Sequence, residues 1–124
     1  MYRLSINHIE KLITVEISGH MSKEEVKAFA DEVNTLIPRL DSTEYCIYAN
    51  FERMDPVSQD SIPYLIEVFK NSLLNVRKIA AVHKRTVTQM QMRKIEEQAK
   101  IGNSIDNRIM RFSSKAEAMN YLKS

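Results

Sequence analysis

The chain has little of several things, and each shortage excludes a class of function. Only two of its 124 residues are glycine, Gly19 and Gly102. A loop that cradles phosphate needs several glycines close together so that the backbone can approach the anion, which excludes Walker and dinucleotide sites. A hydrolase serine has no visible setting either, since there is no Gly-x-Ser-x-Gly turn. The one cysteine, Cys46, cannot form an internal disulfide, and it sits in the apolar run YCIYANF, where a small buried hydrophobe is expected. No His-x-x-x-His or Cys-x-x-Cys spacing is present, so neither a metal nor a cofactor is expected. No apolar run approaches the ~20 residues of a bilayer span, and MYRLSINHIEK is polar where a signal peptide is apolar. The expected location is the cytoplasm.

What is present suits one domain over residues 1–124, long enough to bury a single core without disulfides or metals. Net charge is +2, but residues 1–57 carry six Lys/Arg against ten Asp/Glu, and residues 58–124 carry twelve against six. The second half could attract an acidic partner. Its basic residues are scattered, however, and no aromatics are interleaved to stack on bases, so nucleic acid is not an expected partner.

Periodicity orders the elements. Arg3–Ile9 and Leu12–Ser18 alternate as half-buried strands of a hairpin, with Ile13, Val15 and Ile17 on one face and Thr14, Glu16 and Ser18 on the other. Gly19 ends the second strand, and Ser22-Lys23-Glu24-Glu25 has capping-box spacing, which starts a helix striped by Val26, Phe29, Ala30, Val33, Leu36, Ile37 and Leu40. Tyr45–Phe51 reads as a strand, FERMDPVSQDSIPYL as the turn after it, and Ile62, Leu65, Ile66, Phe69 and Leu73 as the stripe of a second helix. Lys78–His83 is the next strand. A third helix is expected from Thr88, where Thr88-Gln89-Met90-Gln91 repeats the capping-box spacing, to Lys100, with Gly102 as its stop. Arg108–Phe112 is a last strand, and Ser114-Lys115-Ala116-Glu117 caps a last helix carrying Ala118, Met119, Tyr121 and Leu122.

This is an α/β order, β-β-α-β-α-β-α-β-α, whose strand–helix alternation implies a mostly parallel sheet with right-handed crossovers. A sheet covered on both faces should have continuously apolar strands, whereas the second strand alternates. Helices are therefore expected mainly on one face, with the other partly open. A half-open sheet with exposed apolar residues leaves room for a homodimer.

Ligands of open parallel sheets bind beyond the carboxyl ends of the strands. Those ends supply His20, then Asn50, Glu52 and Asp55, then His83, Lys84 and Arg85. Catalysis by His20, Asp55 and His83 requires those side chains to converge in one cleft. A surplus of apolar residues is a separate clue: Tyr64 and Val68 form a second stripe on the second helix, and Val87, Met90 and Met92 add flexible bulk around the third. Core packing, a dimer contact and an adaptable pocket all account for it.

Four stretches carry a family resemblance: ITVEISGHMSKEE, YCIYANFERMD, NVRKIAAVHK and MRFSSKAEAMNYL. In these and in element order, the whole chain resembles the SpoIIAA-like proteins, relatives of the STAS domains that include anti-sigma-factor antagonists. The resemblance implies an α/β sandwich that acts without catalysis. It implies binding of a protein partner through the loop before the second helix and that helix's face, at Asp55, Asp60, Ser61, Tyr64 and Val68. The alternative it implies is a carrier or sensor of a nonpolar molecule, with a pocket lined by residues such as Phe69, Met90 and Met92.

In the phosphorylated antagonists an Asp-Ser pair followed by a small residue and glycine opens the second helix. With Met54-Asp55 aligned on the family's Met-Asp, Pro56 takes the serine's place and the phosphoserine switch is lost. A shifted alignment offers Ser61, then Ser58, as phosphorylation candidates. Asp60 or Ser61 then also serves as N-cap ahead of Pro63, whose missing N–H costs nothing in a first turn.

Overall fold

The computed structural model describes residues 1–99 and 108–124. Its strands are β1 (Tyr2–Asn7), β2 (Leu12–Gly19), β3 (Cys46–Met54), β4 (Lys78–Val82) and β5 (Ile109–Phe112). Its α-helices are α1 (Lys23–Leu36), α2 (Ile62–Asn75), α3 (Thr86–Ala99) and α4 (Lys115–Lys123). The sheet runs in the order β1-β2-β3-β4-β5, antiparallel between β1 and β2 and parallel thereafter. Each crossover from β2 onward steps one strand in the same direction, so crossovers of one hand lay α1, α2 and α3 on one face.

The alternation of β2 sends Ile13, Val15 and Ile17 to that face. There they meet Ile47, Ala49 and Phe51 of β3, Ile79 and Ala81 of β4 and Ile109 of β5, under Phe29, Val33, Leu65, Phe69, Met92 and Ile95 of the helices. The opposite face is divided. Cys46, Tyr48, Ala80 and Val82 pack under Ala118 and Leu122 of α4, a smaller second core that holds the lone cysteine as a buried free thiol. On its β1–β2 side the register aligns Arg3 with Glu16 and Ser5 with Thr14, polar pairs that do not drive a covering helix.

Local signals explain most boundaries. Gly19 adopts φ +68, a left-handed conformation that a Cβ disfavours, and its carbonyl accepts from the Asp55 N–H at 3.1 Å. Ser22 and Ser114 cap α1 and α4 through their side chains, accepting from the Glu25 and Glu117 N–H groups. Pro38 converts the end of the first helix into a 3-10 turn over Ile37–Arg39, because its ring cannot continue an α-helix. β1 stops two residues early, since the Asn7 side chain accepts from the Ile9 and Glu10 N–H groups at 3.0 Å and starts the turn itself.

Two expectations are corrected. β3 continues to Met54, which is fully buried, so the connection to α2 begins at Asp55. α3 begins at Thr86, and Thr88-Gln91 is not its capping box: Thr88 bonds to Met54, the last residue of β3, and Gln91 to Val57 just beyond it. The expected helix end at Lys100 and Gly102 lies outside the described residues. Among the described residues no helix is long and apolar enough to cross a membrane.

Candidate functional site

The carboxyl ends of β2, β3 and β4 gather around the connection 55–61, whose last three residues, Gln59–Ser61, form a 3-10 turn leading into α2. α3 fixes this loop through backbone atoms. Thr88 Oγ1 donates to the Met54 carbonyl at 2.8 Å, and the Gln91 amide both accepts from the Val57 N–H and donates to the Val57 carbonyl, each at 2.8 Å. Two ion pairs reinforce it, Arg85 with Asp55 and Lys84 with Glu52, the latter at 3.2 Å. A primary amide sets an N–H donor beside a carbonyl acceptor, as the edge of a strand does, so Gln91 continues the loop's hydrogen bonding as a neighbouring strand would.

Inside the loop the serines divide. Ser58 is exposed; its hydroxyl donates to Asp60 Oδ1 at 2.6 Å and lies 2.9 Å from Ser61 Oγ. That hydrogen bond from Ser58 is the main reason the Asp60 carboxyl is held below its ordinary range, with Lys23 adding to it. Ser61 is 0% exposed, so in this conformation its hydroxyl is shielded from solvent. It occupies the N-cap position of α2, but its backbone is already helical and its side chain turns to Ser58, so neither Ser61 nor Asp60 caps the helix. Ser58 was the second choice in the sequence and is the accessible one.

Of the residues expected on the partner surface, Asp55 and Tyr64 are half-buried and Asp60 is exposed. Val68 is corrected: it is 8% exposed and turned inward, because α2 packs against both α1 and α3 and so has a second apolar face covered besides the one toward the sheet. Apolar surface instead lies beside the loop. Val87 and Met90, 67% and 57% exposed, border an open cleft of about 520 Å³ between the start of α2 and α3, floored by Ile62 and Ile95 and rimmed by Gln59, Gln91, Lys94 and Gln98. Met90 therefore faces solvent and does not share a pocket with Phe69 and Met92. Those two do come together around a cavity of about 40 Å³ beneath α1 and α2, whose lining includes Phe29, Phe51 and Val68.

His20, Asp55 and His83 have three different surroundings. His20 is exposed, Asp55 is engaged by Arg85, and the buried His83 ring lies 5.3 Å from that of Phe51. Burial, and then the Arg111 guanidinium, push the His83 pKa down to about 4. Among the described residues no group of three His, Cys, Asp or Glu could hold a metal ion.

A five-stranded sheet flanked in this way, with an ordered loop entering α2, is an α/β sandwich of the SpoIIAA/STAS kind. A family model for SpoIIAA-like proteins matches residues 12–123, and the chain belongs to that family. Unphosphorylated SpoIIAA, an anti-sigma factor antagonist, superposes with a TM-score of 0.68 at 14% identity, over 99% of this chain and 98% of that one. The phosphorylated Bacillus cell fate determinant SpoIIAA gives 0.66 at 15% identity, over 98% and 99%. An uncharacterized protein from Shewanella loihica with a SpoIIAA-like fold gives 0.71 at 10% identity, over 98% and 93%. At such identities the likeness establishes the fold. No curated protein matches the chain by sequence.

Proposed function

We propose that this protein is a cytoplasmic, non-enzymatic regulatory module that recognises a protein partner through the loop 55–61 and the adjoining α2–α3 cleft. The observation that supports this reading is the pairing of a fixed loop with an open apolar cleft: Val87 and Met90 stand exposed in a cleft that the loop enters through Gln59, the residue between the exposed Ser58 and Asp60. A few exposed apolar side chains rimmed by glutamines and a lysine are what a protein interface offers. SpoIIAA, whose fold this chain shares, is an anti-sigma factor antagonist known in phosphorylated and unphosphorylated forms. With Met54-Asp55 aligned on the family's Met-Asp, Pro56 takes the serine position, and Ser61 is buried, which favours recognition without the family's phosphoserine switch. A phosphate on Ser58 would meet the Asp60 carboxylate, so its charge would loosen the loop.

Photo-crosslinking in host cells tests the surface. A crosslinker placed at Ser58, Val87 or Met90 should capture the same protein, one at Thr14 on the polar sheet face should not, and Ser58→Asp should weaken the capture. Equal capture from Thr14, or none from the cleft positions, rejects the site.

The cavity beside Phe69 and Met92 supports a second reading, a sensor of a nonpolar molecule. Its volume of about 40 Å³ fits a ligand of very few heavy atoms unless α1 and α2 separate. Native mass spectrometry of protein from its own host tests this, and an unliganded spectrum counts against it.

A further inference from the structure

Four buried polar atoms near the end of β4 have no hydrogen-bond partner among the described residues: both ring nitrogens of His83, Oε1 of Glu96 and Nε of Arg111. Arg111 of β5 reaches across to α3 and pairs with Glu96, which is 0% exposed. His83 lies close enough to that arginine to feel its charge, with Phe51 of β3 against its ring. Among the described residues the charge that acts on it is Arg111 from β5, which in turn is paired with Glu96 and repelled by Arg93, both from α3. The next two residues along the chain, Lys84 and Arg85, hold Glu52 and Asp55 at the end of β3. A proton on the buried ring would set a second cation beside Arg111, the guanidinium with which Glu96 Oε2 is already paired. The strain is relieved when the ring moves into water, and that movement carries Lys84 and Arg85 with it.

We propose that His83 is a proton-operated latch: protonation of its ring drives the connection between β4 and α3 outward and frees the loop 55–61. The proposal rests on reading that loop as the recognition surface for its consequence, but loop release is itself measurable without any partner. Acid then lowers the capacity to bind, because both ion pairs that steady the loop leave together.

Linkage sets the size of the effect. An open form with an ordinary histidine pKa near 6.5, against a closed form near 4, gains population about 20-fold between pH 7 and pH 5. Amide hydrogen exchange, corrected for its intrinsic pH dependence, reads this directly. The Asp55 and Val57 amides, which donate to the Gly19 carbonyl and to Gln91, should open about 20-fold more often at pH 5. The Cys46 amide at the opposite end of the sheet, which donates to the Lys11 carbonyl, should not. His83→Phe, which keeps a ring against Phe51 and removes the titration, should abolish the response. An unchanged loop, an equal rise at Cys46, or the same rise in His83→Phe overturns the latch. Titration of the His83 ring protons in the unaltered protein decides the matter if the variant does not fold: a ring that titrates without a change at Asp55 and Val57 also overturns it. Crosslinking that fails while the loop still opens with acid rejects the recognition surface and leaves the latch standing.

Discussion

Two neighbouring residues of α3 serve two regions held by different forces. Met92 closes the interior beneath α1 and α2, which is lined almost wholly by apolar side chains; Gln91 holds Val57 with two hydrogen bonds in the loop 55–61. Packing free energy scales with buried area and has no direction, so the interior has one filled state and a small residual cavity. Hydrogen bonds and ion pairs are directional and few, so the loop has an arrangement that a single proton or charge can undo. The difference separates a part built to stay from a part that can be switched.

The comparison breaks most sharply in the interior. Phe69→Ala should cost about 3–5 kcal/mol of unfolding free energy in urea, the usual loss for a buried aromatic ring. A loss below about 1 kcal/mol would mean that the interior is loose enough to admit a ligand, and would favour the nonpolar-sensor reading. Next is pH. His83 has a folded pKa lowered to about 4 against about 6.5 unfolded, so its contribution is complete above pH 6.5 and is lost progressively as pH falls to 4. Stability should drop by about 3 kcal/mol across that window from this group, and His83→Phe should flatten the slope there.

How far these regions were legible in the sequence follows the same division. The interior was readable, because Ile13, Val15 and Ile17, the α1 stripe and the apolar β3 declare their faces through periods of 2 and 3.6. The serine caps at Ser22 and Ser114 were readable because a cap is a contact over three residues. The third such spacing, Thr88 to Gln91, misled for a physical reason: the same side chains that can cap a helix can bond to any backbone brought near, and what came near was β3's exit, 34 residues away in sequence. Arg85 with Asp55 and Arg111 with Glu96 were hidden likewise, since ion pairs between elements leave no local pattern. Val68 was misassigned because periodicity shows that a face is apolar without showing what covers it; three helices sharing one side of the sheet bury α2 on two faces.

Gln91 then gives the sharpest test of the directional half. Gln91→Ala strips the Val57 N–H and carbonyl of their partners, and should cost about 1–3 kcal/mol with faster exchange at Val57. Gln91→Met, of similar length and without the amide, should behave the same, which separates the hydrogen bonds from packing. A variant in which exchange at Val57 is unchanged would show the loop held by its other bonds, the flanking ion pairs, Thr88 to Met54 and Asp55 to Gly19.

The smallest expected effect distinguishes a cap from a residue in a cap's position. Ser114→Ala removes a hydroxyl that accepts from the Glu117 N–H at 3.3 Å, and should cost about 1 kcal/mol in thermal unfolding. Ser61→Ala removes no bond to an N–H of α2, since the hydroxyl meets Ser58 instead. Its effect should therefore fall on the loop: Ser58 loses one neighbour and keeps its bond to Asp60, and exchange at Val57 rises more than global stability falls. A Ser61→Ala protein with global stability reduced as much as by Ser114→Ala, and with an undisturbed loop, would return Ser61 to the role of a helix cap and leave Ser58 without a structural connection to α2.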